Sequence, residues 1–287
     1  MRRRNLLWAL VQTGLLLVSA AGTTAESQGG GTPHVQVELV SERGAIEPGH
    51  GLWVGMHFSL EAGWHLYWSN PGDSGQPPSV QWELPAGFQA GPIIWPYPER
   101  LEHIPLVDYG YEGDVLLMAR IDSPDSALMQ GKVDLVANVK WLVCREICIP
   151  GRMRLSLTLP VRAAGEAPVP VRNQLFDVAR HRLPRPLPAN WRAAASSEKD
   201  RFELSIETGK PEARALFFPL EAEQIENSAP QVVTATKQGA RIRLRKSEHL
   251  LKPIATLNGV VVLSSGRAFV VHAKIRAEHR EGNAGGG

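Results

Sequence analysis

Period-two alternation of apolar and polar residues dominates the first half of the chain. Leu52, Val54, Met56 and Phe58 alternate with Trp53, Gly55 and His57. Val133, Leu135, Ala137 and Val139 alternate with polar Lys132, Asp134, Asn138 and Lys140, and Met153, Leu155, Leu157 and Leu159 repeat the pattern. A repeat of two puts one side-chain set on a buried face and the other in water, so these stretches predict half-buried strands. Turn-forming runs such as Asn70-Pro-Gly-Asp-Ser-Gly75 separate them. No long amphipathic helix is predicted before residue 165. Many short strands between turns imply an all-β fold, a β-sandwich over residues 34–163.

The pattern then changes. Residues 164–190 read as a Pro-rich linker, bounded by Ala163-Ala-Gly-Glu-Ala-Pro-Val-Pro170 and Leu183-Pro-Arg-Pro-Leu-Pro188, with one short helix over Asn173–His181. A second, smaller β domain is expected over 191–277. Its strands are predicted at 202–206, 215–219, 241–245, 260–263 and 268–275, with a helical turn at 222–229. Residues 26–33 read as a flexible lead, and the charged, then Gly-rich residues 278–287 as a disordered tail.

The first 25 residues read as a secretion signal. Arg2, Arg3 and Arg4 are a basic start, Leu6 to Val18 is mostly apolar, and Thr23-Thr24-Ala25 offers a cleavage site after Ala25. The apolar run is shorter than the roughly 20 residues that span a bilayer. A cleaved, exported chain with no stable membrane insertion is therefore expected, with the periplasm as its compartment. Removing residues 1–25 takes away three arginines and no acid, turning a net charge of +2 into about −1. That balance argues against nucleic acid as a partner, which needs a concentrated basic face.

Export changes the meaning of the two cysteines, because disulfides form and persist in an oxidising compartment. Cys144 and Cys148 are the only cysteines, within Val139-Lys-Trp-Leu-Val-Cys-Arg-Glu-Ile-Cys-Ile-Pro-Gly151. A bridge between them closes a five-residue loop, worth about 2 kcal/mol by chain entropy, against roughly twice that for a hundred-residue loop. It is weakly placed as a staple and well placed as a redox pair, since both sulfurs stay close when reduced. Spacing alone leaves three readings open: an inert bridge, thiol–disulfide exchange, and a two-thiolate site for Cu(I). His65, His103 and Met153 are candidate extra ligands, but nothing in the sequence fixes them near the pair. No cofactor or metal site is assigned, and no P-loop, dinucleotide fingerprint, hydrolase elbow or zinc signature is present.

Two stretches carry a resemblance to a known family. One runs from Gly63-Trp-His-Leu-Tyr-Trp-Ser-Asn-Pro-Gly-Asp-Ser-Gly-Gln-Pro-Pro78 to Trp95-Pro-Tyr-Pro-Glu-Arg100. The other is Tyr109-Gly-Tyr-Glu-Gly113 with Trp141-Leu-Val-Cys-Arg-Glu-Ile-Cys-Ile-Pro-Gly151. They resemble the N-terminal periplasmic part of the DsbD family of thiol:disulfide interchange proteins, in its ScsB-like branch. Phe217-Phe-Pro219 and Ser228-Ala-Pro-Gln231 resemble that branch's second β region. The resemblance implies an immunoglobulin-like sandwich whose redox-active pair is Cys144 and Cys148. It implies electrons arriving from a membrane-embedded thiol relay and leaving to exported thioredoxin-like or disulfide isomerase proteins, including those of cytochrome c biogenesis. No transmembrane bundle or thioredoxin-like domain is read in this sequence, so the relay is expected to be a separate protein.

The resemblance also makes Tyr109 a cap residue over the pair, and Trp141 matches an aromatic position before the first cysteine. Asp108 stands where the cap's other aromatic would be. Tyr111 and Glu112 are expected near the cysteines, with Asp108 and Glu112 as candidate proton-transfer carboxylates. Trp64, Tyr67, Trp68, Trp82 and Trp95 read as core and loop packing. Asp73 reads as a turn former and His65 as structural. A non-catalytic adaptor with a structural bridge is the remaining alternative.

Overall fold

The computed structural model describes residues 26–125, 131–162 and 170–277. The expected signal (1–25), the expected tail (278–287) and part of the linker lie outside the described residues. No helix among the described residues is long and apolar enough to cross a membrane.

Two sheets face each other in the first domain. One has the strand order Glu26–Gln28, Cys148–Pro160, Lys132–Cys144, His65–Gly72, Leu106–Glu112 and Glu99–His103, with Ser79–Glu83 also paired to Lys132–Cys144. The other runs Gly30–Thr32, Val35–Ser41, Gly51–Leu60, Asp114–Asp122 and Gln89–Ala90. The apolar half of each alternating stretch fills the space between them: Val54, Phe58, Leu135, Ala137 and Leu159 are fully buried in one cluster. This is the expected β-sandwich, built from antiparallel pairs.

The second domain is an eight-stranded sheet. Its strands Arg201–Glu207, Ala215–Pro219, Gly239–Arg245, Thr256–Leu263 and Ala268–Ala277 coincide with the predicted alternation. Arg192–Ser197 and Val232–Thr236 were not predicted, because neither has a clean apolar face: Val232–Thr236 is an edge strand with no fully buried residue.

Three further expectations are corrected. The lead at 26–33 is largely strand: Glu26–Gln28 pairs with Ser156–Thr158 and Gly30–Thr32 with Val35–Val37, since sheet edges offer unpaired backbone groups even to a Gly-rich segment. The turn at 222–229 is not helical. Ile225 bridges to Lys246, and Glu223 has φ of 62°. The helix Asn173–His181 forms as predicted but packs rather than links loosely, burying Phe176 and Ala179 against Val40, Leu116 and Met118.

The domains share one apolar core. Phe218, Val260 and Ala268 of the second domain belong to the buried cluster of the first. The Phe218 ring meets Tyr109 and Trp68 edge-on, with centroids 5.2 and 6.2 Å apart. Polar groups fix the fit. The Asn70 amide donates to the Pro219 carbonyl (2.8 Å), Tyr109 Oη donates to Asn227 Oδ1 (2.8 Å), and Asn227 Nδ2 donates to Asp73 Oδ1 (2.7 Å). Asp73 thus joins two domains as well as forming its turn.

Candidate functional site

Strand Lys132–Cys144 ends on Cys144, and strand Cys148–Pro160 begins on Cys148. The two cysteines are direct partners in an uninterrupted antiparallel register that runs from Lys132–Pro160 to this pair. Strand Lys132–Cys144 reaches its last residue because His65 and Leu66 pair with Cys144 and Val143 on the other side. Arg145, Glu146 and Ile147 make the connection, all exposed, and Cys144 and Cys148 are joined by a disulfide. The two cysteines differ in access: Cys144 is 2% exposed, whereas Cys148 is exposed.

Register also defines what surrounds the bridge. Cys148 pairs with Cys144, Cys144 with His65, and His65 with Glu112. Directly opposed residues of antiparallel strands share a face, so these four side chains form one row across four strands. Two residues along from His65, Tyr67 lies on the same face, its hydroxyl 3.9 Å from Cys148 Sγ and 3.3 Å from Ser74 Oγ. Asp108 anchors Ser74 twice: Oδ1 accepts the Ser74 backbone N–H and Oδ2 its hydroxyl, each at 2.9 Å. A chain of polar contacts therefore runs from Asp108 through Ser74 and Tyr67 to Cys148. The Tyr67 ring packs against the turn at Gly75, where φ is +75° and an added Cβ would lie 2.0 Å from the ring.

The electrostatics follow from burial. His65 is 1% exposed, and burial, reinforced by neighbouring His103, pushes its pKa down to about 4, so it is neutral at ordinary pH. Burial raises the Asp108 carboxyl, opposed by the two Ser74 bonds, and also raises the Tyr67 hydroxyl. Arg145 and Glu146 pair with each other at 3.6 Å and are both exposed, so their opposing effects on the thiols are screened.

The predicted site residues thus divide by face. Asp108 and Glu112 lie on the side of the bridge. Tyr109 and Tyr111 do not: one position out of phase, they point into the sandwich core, both fully buried. Tyr109 serves the domain interface instead of capping the cysteines, and the Tyr111 hydroxyl donates to the Pro96 carbonyl at 2.7 Å. Trp141 also faces the core, edge-on to Phe58 at 5.9 Å. Tyr67 and His65, read as packing and structural residues, are the ones beside the cysteines. The His65-x-Tyr67 spacing was the available signal, since it puts both on one strand face.

Residues 36–160 match the family model described as "Thiol:disulfide interchange protein DsbD, N-terminal". Among solved structures, the N-terminal periplasmic domain of ScsB from Proteus mirabilis is similar at 16% identity and a TM-score of 0.63, over 85% of this chain and 94% of that one. The likeness in fold therefore extends through both β domains. The periplasmic chaperone SfaE (11% identity, 84% of this chain, 100% of that chain, TM-score 0.22) and a Porphyromonas gingivalis W83 protein of unknown function (11%, 84% and 99%, TM-score 0.24) score too low to indicate a shared fold. No curated protein matches. The matched segment contains most of the sandwich and the disulfide between Cys144 and Cys148. Residues 36–160 therefore form a domain like the N-terminal domain of the DsbD family.

Proposed function

We propose that this chain is an exported thiol–disulfide interchange protein that passes electrons from a membrane-embedded thiol relay to thioredoxin-like or disulfide isomerase acceptors. The observation that carries this reading is the asymmetry of the bridge, with Cys148 open to a partner and Cys144 held beneath it. Exchange requires one accessible sulfur and one that stays near to resolve the intermediate.

On loading, a thiolate of the reduced partner attacks Cys148 Sγ. A partner–Cys148 bond forms, and Cys144 leaves as a thiolate that takes up a proton. The partner's second thiolate then attacks its own sulfur in the mixed disulfide and releases Cys148. Two electrons have moved: the partner is oxidised to a disulfide and the pair is reduced to two thiols. Delivery to an acceptor reverses these steps, with Cys148 attacking and Cys144 resolving. The Tyr67 hydroxyl is in place to donate to Cys148 whenever it carries negative charge. Asp108 is a positioning residue that acts through Ser74. Exposed Ile147, together with Ile104 and Leu106 in the hairpin that presents His103, offers apolar surface for a transient partner.

The test is single-turnover exchange. The oxidised protein is mixed with a reduced thioredoxin-like protein and the free thiols are counted by alkylation mass shift. Transfer of two electrons per chain is expected, and failure to exchange with any thioredoxin-like donor or acceptor overturns the reading.

Tyr67→Phe separates the hydroxyl from the ring. Loss of one hydrogen bond to the thiolate is worth about 1.5 kcal/mol, or roughly tenfold in exchange rate. The melting temperature is expected to stay near wild type while the Cys148 thiol titrates at higher pH. An unchanged thiol titration would remove Tyr67 from the mechanism.

A further inference from the structure

We propose that His65, His103 and Asp108 form a binding site for a divalent transition-metal ion of the Zn2+ class. This goes beyond the thiol chemistry, because none of its three ligands is a cysteine. One potential ligand atom from each residue lies within 4.8 Å of the others, and this is the group of its kind among the described residues. His65 Nε2 is 3.8 Å from Asp108 Oδ2, and the two imidazoles are nearly parallel, 4.9 Å between centroids and 23° between planes.

The decisive observation is His65. It is 1% exposed, yet neither ring nitrogen has a hydrogen-bond partner. Buried polar groups are normally satisfied, so an imidazole held this way calls for an explanation. Its backbone is locked between Cys144 and Glu112 in the sheet, which leaves Nε2 directed toward the Asp108 carboxylate. An ion there would be ligated by the atom that now has no partner.

The donor set fits the ion class. Two imidazoles and one carboxylate with an open position are the usual protein share of a non-structural zinc site. Asp108 already has the support a ligand needs, since Ser74 orients both carboxylate oxygens and leaves Oδ2 a free lone pair. Tetrahedral bonds of about 2.0–2.1 Å hold ligand atoms roughly 3.4 Å apart. The site therefore closes onto an ion by a small movement, and exposed His103 at the strand end is the residue free to make it. His65 and His103 are 38 positions apart and are brought together by the hairpin Glu99–His103/Leu106–Glu112, whose second strand pairs with strand His65–Gly72.

The experiment uses the full chain with its disulfide intact, so that no thiol supplies a ligand. Zn2+ is titrated against a chromophoric chelator, and Co2+ is titrated in its place and followed by visible absorption. One equivalent of Zn2+ per chain is expected, and the Co2+ complex should show the intense bands of four or five coordination. His103→Ala and Asp108→Asn should each weaken Zn2+ binding at least tenfold. His57→Ala, which removes a surface histidine lying between Glu38 and Asp114, should leave it unchanged. Melting curves accompany each variant, and His103→Gln replaces His103→Ala if the latter fails to fold. No saturable binding, a six-coordinate Co2+ spectrum, or full affinity in the folded His103 variant would overturn the proposal.

Discussion

Cys144→Ala is expected to accumulate mixed disulfides with exported partners through Cys148, whereas Cys148→Ala accumulates none. Both variants remove the bridge and leave one thiol, so spacing and composition do not distinguish them. Access does. Cys148 begins its strand on the exposed side of the connection, and Cys144 is 2% exposed under the same bridge. A partner disulfide must reach the attacking sulfur along the S–S axis, which a buried thiol does not permit. The Cys144→Ala complex is long-lived because the resolving sulfur is gone. Non-reducing electrophoresis of the exported fraction, followed by mass spectrometry of the adducts, reads the result. Equal trapping by both variants would mean that the observed burial does not control attack. Trapping by neither would favour the inert bridge.

The second large effect is on stability. Phe218→Ala should cost about 3–5 kcal/mol, the usual cost of emptying a buried aromatic site. The side chain is 2% exposed and sits in the core cluster of the other domain, edge-on to Trp68 and Tyr109. Leu216 on the same strand is 41% exposed, and Leu216→Ala should stay within about 1 kcal/mol. Chemical denaturation of the three proteins gives both numbers. The truncation should also loosen the second domain from the first, so the fluorescence transition, expected to be single in the wild type because the core is shared, should broaden or split. A Phe218 effect no larger than that of Leu216 would contradict the shared core.

Much of the fold was legible because antiparallel strands with one wet face leave a period-two trace. Leu52 to Phe58 and Val133 to Val139 carry it, broken only at Trp53 and Val136, and the observed strands contain them. Strands without a buried face, such as Val232–Thr236, leave no such trace. The site was legible in part. The cysteines and their hairpin follow from local spacing. The stretch Asp108 to Glu112 is expected beside the cysteines with Tyr109 as its cap, although its own alternation splits it: 108 and 112 face the bridge, while 109 and 111 face the core. What sequence does not carry is the pairing of strands far apart in the chain. The register that puts His65 opposite Cys144, across 79 positions, turned a residue read as structural into the neighbour of the bridge. The same holds for Tyr109, whose partner Asn227 belongs to another domain.

The reduction potential of the Cys144–Cys148 pair tests the central claim most directly. It is measured by equilibrating the full chain in thiol–disulfide buffers of known potential and quantifying reduced protein by alkylation. An exchanging pair is expected above about −300 mV, within the span from thioredoxin at about −270 mV to strong oxidants at about −120 mV. A value below about −300 mV, where structural bridges lie, would make the disulfide a staple and contradict the account.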